Sequence, residues 1–146
     1  MFFVFAFLLI PFSDAMAQKA KRGDVAGIWL NQDKDAKIEI SEKGGKFYGK
    51  IVWLKDPIDP ETNKPKTDKH NPDPALKSRP TLGLEILKGF IFNGEDEWKD
   101  GQIYDPKSGK TYSCYIRFES KDKLKIRGFI GVSMLGRTTY WTRSSL

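Results

Sequence analysis

Two residues of this 146-residue chain are suited to nucleophilic or general-base chemistry: its one histidine, His70, and its one cysteine, Cys114. A catalytic pair would need the imidazole beside the nucleophile, with a third group to orient it. His70 lies in a proline-rich stretch, whereas Cys114 alternates with apolar residues. We therefore interpret His70 as an exposed loop residue and Cys114 as a small buried side chain, and we expect no enzymatic activity.

Carboxylates are the second chemical feature, and they concentrate in residues 55–80. Five of them could offer the oxygen ligands that Ca²⁺ prefers: Asp56, Asp59, Glu61, Asp68 and Asp73. Their spacing does not follow an EF-hand loop, and the interleaved lysines would oppose a cation. One histidine and one cysteine are also too few ligands for a zinc site. We therefore expect no metal and no other cofactor.

Residues 55–80 also break the hydrophobic pattern of the chain, because they hold six of its eight prolines and no apolar period. A loop of this length is unusual in a compact domain and is often functional. Within it, Asp73 is expected to cap a short helical turn that begins at Pro74. We interpret the stretch as a lid, with these candidate functional residues: Asp68, Asn71, Asp73 and Arg79.

Most of the remaining chain alternates between apolar and polar residues, as half-buried β-strands do. Residues 36–41 are the clearest case, and Gly44-Gly45 after them predicts a hairpin turn. Residues 46–54 are apolar on both faces, with Trp53 expected on the same face as Ile51. Residues 95–99 and 101–104 are expected to form a hairpin that turns at Asp100-Gly101.

The last part of the chain is expected to close the structure. Two alternating runs, residues 124–130 and 137–143, flank a glycine-bounded connection. We predict that the second run pairs with the strand around Trp29. The residues expected at this seam are Gly27, Trp29, Arg137, Trp141 and Arg143. The predicted fold is all-β: one antiparallel up-and-down β-barrel of about eight or nine strands, with one long loop and at most short helical turns.

The first residues have the form of an export signal. Phe2–Phe12 is an uninterrupted apolar run, shorter than the roughly 20 residues of a membrane-spanning helix. Ala15-Met16-Ala17 has the small-x-small form of a cleavage site. We therefore expect a cleaved signal at residues 1–17, a flexible N-terminus at 18–23 and one barrel domain at 24–146, in a periplasmic or secreted protein.

Charge and cysteine content narrow the expected partners. Without Asp14, which would leave with the signal, 25 basic and 18 acidic residues give a net charge of +7. Such a chain attracts anionic molecules, but export argues against nucleic acid as the partner. A single cysteine cannot form an internal disulfide, so apolar burial must hold the domain together. We expect a monomer whose partner is a small amphipathic or lipid-like ligand or an anionic component of the cell envelope.

Many ordered motifs between residues 27 and 143 resemble one bacterial family of exported proteins, known as domain of unknown function 2147. The matching stretches are Gly27-Ile28-Trp29, Ala36-Lys37-Ile38, Tyr48-Gly49-Lys50-Ile51-Val52-Trp53-Leu54, Asp68, Asn71-Pro72-Asp73, Arg79, Gly83-Leu84, Trp98, Gly101-Gln102-Ile103-Tyr104-Asp105-Pro106, Gly109-Lys110-Thr111-Tyr112, Arg127-Gly128-Phe129-Ile130-Gly131, Leu135-Gly136-Arg137-Thr138, Trp141 and Arg143. The resemblance implies an exported barrel of the calycin, lipocalin-like type, and it implies no catalytic residue.

A comparison with lipocalins points to the same shape. Lipocalins begin with Gly-x-Trp and bring an arginine of the final strand over that tryptophan. Gly27-Ile28-Trp29 and Arg143, or alternatively Arg137, are similar to these parts. The middle Thr-Asp-Tyr motif and the long C-terminal helix of lipocalins have no counterpart in this sequence.

The leading functional hypothesis is that the barrel mouth binds a small amphipathic or lipid-like ligand beneath the lid. A barrel of about eight strands is either filled by side chains or holds one small ligand. The residues expected to contact the ligand are Trp53, Phe90, Trp98, Tyr112, Arg127 and Phe129. The alternative is an envelope interaction module that binds a protein or an anionic glycan through its basic surface and residues 55–80.

Overall fold

The structure, a computed structural model, describes residues 19–132 and 135–146. The predicted export signal and its cleavage site lie outside these residues. The strands are β1 Gly27–Leu30, β2 Ala36–Lys43, β3 Lys46–Leu54, β4 Ile58–Asp59, β5 Lys64–Pro65, β6 Glu85–Phe92, β7 Glu97–Asp105, β8 Lys110–Ser120, β9 Lys123–Phe129 and β10 Gly136–Ser144. Two short 3₁₀ helices, Arg22–Val25 and Pro74–Leu76, are the helical elements of the described chain. The prediction of an all-β domain is confirmed.

Eight of the strands form one closed antiparallel barrel in the order β1-β10-β9-β8-β7-β6-β3-β2. Strands β4 and β5 make a separate two-stranded ribbon between β3 and β6. The barrel is closed by β1 and β10, where Trp29 pairs with Arg143. Closure pairs both edges of each of these eight strands, so another chain cannot add a strand to the barrel. The predicted closure of the barrel by the last strand is confirmed.

The connections between strands lie at two ends of the barrel, because neighbouring strands run in opposite directions. At the end that we call the closed end, the 3₁₀ helix Arg22–Val25 packs on the core through Val25, which is 0% exposed. The indole N–H of Trp29 donates to the Val25 carbonyl at 2.9 Å, and that of Trp98 donates to the Arg22 carbonyl at 3.2 Å. Arg22 and Gly23, expected in a flexible N-terminus, belong to this helix.

The interior at the closed end is filled by side chains. Phe47, Phe90 and Trp98 are all buried there, with no space among them for a water molecule. Gly101 makes room for the Phe90 ring, since a Cβ at that glycine would lie 2.5 Å from the ring atoms. Close packing of this kind makes the interior a hydrophobic core instead of a ligand cavity.

Strand β7 differs from its prediction, because the hairpin turn expected at Asp100-Gly101 is wrong. Glu97–Asp105 is one strand, and Asp100, with a φ of 60°, lies in a bulge within it. The turn before β7 is built by Asn93, whose side-chain oxygen accepts hydrogen bonds from the backbone N–H groups of the three residues at positions 95–97. Bulges and turns both use left-handed backbone, so the same residue pair indicates either one.

A second bulge decides the direction of Trp53 in β3. Ile38 of β2 pairs with Ile51, whereas Lys37 pairs with Trp53, so Val52 is an extra residue. An extra residue reverses the alternation of side chains beyond it. Trp53 therefore faces outward, and the Nζ atom of Lys37 lies 5.0 Å from the centre of its ring. The prediction that Trp53 shares a face with Ile51 is wrong for this reason.

Candidate functional site

Residues 55–84, which we call the excursion, pack on the outside of the barrel wall. Gly101 of β7 faces the interior, where it contacts Phe90, so Tyr104, an odd number of positions later, faces outward. The Tyr104 hydroxyl donates a 2.6 Å hydrogen bond to Oδ1 of Asp68 in the excursion. At Asp68, therefore, the segment that we interpreted as a lid is fixed to the outer face of β7.

Asp68 is the centre of this attachment, and its side chain is 0% exposed. Its Oδ2 atom accepts hydrogen bonds from Nδ2 of Asn71 and Nε of Arg79, each at 2.9 Å. Nη2 of Arg79 also lies 2.9 Å from the same oxygen. An isolated carboxylate would be unfavourable in this position, but charge-assisted hydrogen bonds to both oxygens offset its loss of hydration.

Backbone hydrogen bonds hold the two arms of the excursion together around Asp68. The N–H of Asp68 donates to the Arg79 carbonyl at 2.9 Å, and the N–H of Thr81 donates to the Lys66 carbonyl at 3.0 Å. Asp73 caps the turn Pro74–Leu76 through a 3.0 Å hydrogen bond from the N–H of Ala75, as predicted. The N–H of Asp73 in turn donates to Oδ1 of Asn71 at 2.8 Å. The four predicted lid residues thus form one connected network.

The electrostatics of this network hold Asp68 as an anion and Tyr104 as a neutral donor. Burial alone would raise the pKa of Asp68, but the hydrogen bonds from Tyr104, Asn71 and Arg79 outweigh it and bring the pKa below its ordinary value of 3.8. Burial, together with the neighbouring Asp68 carboxylate, raises the pKa of Tyr104 to about 12. At neutral pH, Asp68 is therefore ionised and Tyr104 is protonated, and their hydrogen bond attaches the excursion to β7.

A cavity of about 160 Å³ lies between the excursion and the barrel wall. We call it the outer-wall cavity. The excursion contributes Asn71, Pro72 and Arg79 to its lining. The wall contributes Glu85, Ile86, Lys88, Gln102, Tyr104 and Thr111. At about 30 Å³ for each water of the liquid, the volume corresponds to roughly five water molecules, which is the scale of a small metabolite.

Three polar side chains of the wall are available to a ligand in this cavity. Lys88 pairs with Gln102 across β6 and β7, and Thr111 lies on the neighbouring strand β8. Among the described residues, none of the three side chains makes a hydrogen bond or an ion pair. They can therefore donate to or accept from a bound molecule without breaking an internal contact.

The six residues expected to contact a ligand do not come together in one cavity. Phe90 and Trp98 are 1% and 0% exposed and pack inside the closed end. Tyr112 also faces inward, opposite Ile103 and beside Gly128. The other three lie on the outer surface of the barrel: Trp53, Arg127 and Phe129.

The seam between β1 and β10 includes four of the five residues expected there. The guanidinium carbon of Arg143 lies 4.2 Å from the ring centre of Trp29, and its nitrogens donate to the carbonyls of Asp24 and Ala26 at 2.9 and 3.3 Å. Gly27 allows this approach, since a Cβ there would lie 3.1 Å from Nη1 of the arginine. Trp141 is buried beside the seam.

Arg137 lies apart from the seam. It is at the other end of β10, where it pairs with Gly128 of β9. Arg143 is therefore the arginine that covers Trp29, and Arg137 takes no part in that contact. The sequence had left both arginines open for this role, because they stand six residues apart and face the same side of one strand.

The remaining candidates for chemistry lie apart from the cavity lining. Cys114 is 2% exposed, and burial raises the pKa of its thiol, which keeps it protonated and unreactive. His70 is exposed in the excursion, and its carbonyl lies against Gly109. Within residues 19–132 and 135–146, no three histidine, cysteine or acidic side chains come together to hold a metal ion. No helix of the described chain is long and apolar enough to cross a membrane.

A closed eight-stranded antiparallel barrel, with a 3₁₀ helix at one end and an arginine over the tryptophan of its first strand, is a lipocalin-like barrel. The chain belongs to the family described as "Uncharacterized protein conserved in bacteria (DUF2147)", whose model matches residues 27–143. It is similar to protein HP1028 of Helicobacter pylori, a solved structure whose title says that it belongs to the lipocalin family. The identity is 30% over 82% of each chain, with a TM-score of 0.70. No curated protein matches the chain.

The sequence did not predict the residues of the barrel wall that line the outer-wall cavity. Glu85, Lys88, Gln102 and Thr111 are polar residues on strands, and that pattern is the same for a solvated face and for a binding site. Tyr104 stood out no more than Trp53 or Phe129, which also face outward but remain half-exposed.

Proposed function

We propose that this protein is an exported, non-enzymatic binding protein that holds a small polar molecule in the outer-wall cavity. One observation carries the proposal: a cavity of about 160 Å³ has one wall fixed to the barrel through the fully buried Asp68. A wall held by a satisfied buried network is already organised before the ligand arrives, which lowers the entropic cost of binding. Export is supported by the N-terminal pattern of residues 1–17.

The charges around the cavity favour a neutral or zwitterionic ligand. The positive charge of Arg79 is offset by its partner Asp68, and the lining adds one cation, Lys88, and one anion, Glu85. Gln102 and Thr111 provide neutral donors and acceptors. A molecule with hydrogen-bonding groups, or with one positive and one negative group, matches this lining better than a lipid chain does.

The size and place of the cavity also distinguish this proposal from our sequence-based hypothesis of a lipid-like ligand in the barrel. Drug-sized ligands occupy cavities of roughly 300–1,000 Å³, so the outer-wall cavity fits a smaller molecule such as an amino acid or a monosaccharide. The interior around Phe90 holds side chains instead of ligand space. The alternative partner, a protein or an anionic glycan bound through residues 55–80, stays a prediction.

An NMR titration of the ¹⁵N-labelled protein with glycine betaine, free amino acids and neutral monosaccharides tests the proposal. We expect one of these classes to shift the amide signals of Lys88, Gln102 and Thr111. T111W fills the cavity and should abolish the shifts. T142W, a matched change at an exposed threonine of β10, should leave them unchanged. Shifts that survive T111W, or no shifts with any class, would contradict the proposal.

A further inference from the structure

The turn between β9 and β10 presents the most exposed group of apolar side chains on the barrel. Ile130, Val132 and Leu135 are 65%, 58% and 69% exposed. The turn is closed by a hydrogen bond from the N–H of Ile130 to the Leu135 carbonyl at 3.2 Å and by one from the N–H of Leu135 to the Val132 carbonyl at 3.0 Å. We call these three side chains the apolar tip. A cluster of three exposed apolar side chains is unfavourable in water unless a membrane or a partner covers it.

The strands below the apolar tip carry only positive charge. β9 and β10 contain five lysines and arginines and no aspartate or glutamate. Arg127 is held on the outer face by a 3.1 Å hydrogen bond from its Nη1 to Oγ1 of Thr138. Arg137, exposed, is the second residue of β10, directly after the turn. Each strand therefore has one cation near the turn, Arg127 in β9 and Arg137 in β10, and the other three lie farther toward the closed end.

Aromatic side chains lie below the turn, first at the level of Arg127, which pairs with Tyr115, and then farther along the hairpin toward the closed end. The rings of Phe129 and Tyr115 are 6.3 Å apart on the outer face of β8 and β9. Nζ of Lys123 lies 5.6 Å from the ring centre of Tyr140 in β10. From the turn downward, the hairpin thus presents aliphatic side chains first and then aromatic rings mixed with cations. This order matches the depth profile of a membrane interface, where apolar groups insert, aromatic rings lie at the headgroups and cations meet anionic lipid.

We infer that the apolar tip inserts into the surface of a membrane that contains anionic phospholipid, and that Arg127 and Arg137, the cations nearest the turn, contact the headgroups. A protein partner fits this surface less well. A stable protein interface buries about 800 Å² on each side, whereas the apolar tip consists of three side chains. A fluid lipid surface closes around a convex tip, and its negative charge complements the two strands. Docking in this way turns the end of the barrel opposite the closed end toward the membrane.

Fluorescence at the tip tests the inference directly. In V132C the new thiol is exposed, while Cys114 is 2% exposed and unreactive, so an environment-sensitive dye labels position 132 alone. We expect a blue shift of the dye with vesicles of phosphatidylglycerol and phosphatidylcholine in equal parts, and little shift with phosphatidylcholine alone. The same dye on K99C, at an exposed position of β7, should not shift. Equal signals at the two positions would overturn the inference.

A second test of membrane insertion is vesicle cosedimentation with unlabelled variants. L135D should weaken partitioning onto the anionic vesicles about tenfold or more, because the inserted side chain becomes charged. L82D changes another exposed leucine, which lies in the excursion, and should bind like the parent protein. All variants share one N-terminus, so a contribution from residues 1–17 is the same in each. Binding unchanged in L135D, or self-association through the tip in place of vesicle binding, would overturn the inference.

Discussion

The closed end and the excursion both hold a peripheral segment on the same barrel, but they do so by different physical means. At the closed end, Trp29 and Trp98 bury apolar surface, and their indole N–H groups hold the first 3₁₀ helix. On the outer wall, Asp68 is buried only because Tyr104 and Arg79, with Asn71, donate to it. Apolar packing loses stability in proportion to the volume removed, whereas a buried charge becomes unfavourable as soon as one partner is lost.

The same difference separates the closed end, which holds the shape of the barrel, from the outer wall, where we propose that a ligand binds. The interior of the closed end is filled by apolar side chains, so its contribution is to stability. The excursion has a polar network behind it and a cavity beside it. Specific binding of small polar molecules needs fixed polar groups, and the outer wall is where such groups and free volume occur together.

The largest effect that separates the two regions is expected from W29A. Trp29 is 0% exposed, so truncation leaves a large cavity at the closed end and should lower the free energy of unfolding by about 4 kcal/mol. Urea denaturation measures this loss. W53A is the matched control, because Trp53 is half-exposed on the outer face, and it should cost less than about 1 kcal/mol. Similar losses in the two variants would show that the closed end is not the main apolar core.

The next effect is expected from R79A, which removes the cation that faces Asp68. The variant leaves a buried carboxylate without its charged partner and should lose about 3 kcal/mol of unfolding free energy. The second variant, D68N/R79A, removes the buried charge as well and should recover at least half of that loss. The same urea titration compares the two. A double variant less stable than R79A would mean that Asp68 does not carry the cost.

The smallest effect is expected from Y104F, and it should depend on pH. Loss of the hydroxyl leaves Oδ1 of Asp68 without its donor and should lower stability by roughly 2 kcal/mol near neutral pH. The pKa of Tyr104 rises from 10.0 to about 12 on folding, so its contribution is complete below pH 10 and is lost as the pH rises toward 12. The difference in melting temperature between wild type and Y104F should therefore narrow over that range. A difference in melting temperature that stays constant from pH 10 to pH 12 would show that folding does not raise the pKa of Tyr104.

Much of the barrel could be predicted from sequence because its signals are local. Alternation of apolar and polar residues fixes which face of a strand is buried, and pairs such as Gly44-Gly45 mark turns, here between Lys43 and Lys46. The two bulges could not be predicted in this way. An extra residue such as Val52 leaves the composition of the strand unchanged, but it reverses every side chain beyond it. Trp53 faces outward for that reason alone.

The candidate site was partly predictable. The excursion was recognised because prolines and carboxylates interrupt the hydrophobic period, and its residues Asp68, Asn71 and Arg79 were named from the same stretch. Their partner was not named, because Tyr104 lies 36 residues from Asp68 and on a different element. Nothing in local sequence shows which outward face of a strand a distant loop will cover.

The amino-acid sequence alone was enough to specify an all-β chain, the number of barrel strands within one, and the pairing of the last strand with the strand of Trp29. The first two features follow from side-chain period and from short connections, which act between neighbours in the chain. The pairing of the two terminal strands follows from the up-and-down order, because pairing each strand with the next leaves an open edge on the first and on the last strand. The tertiary structure was needed to show that the interior at the closed end is filled and that the excursion lies on the outer wall with a cavity beneath it. Side chains from distant strands decide whether a space in the molecule is filled or left open. Their packing in turn depends on the register and the bulges of the strands across the whole barrel.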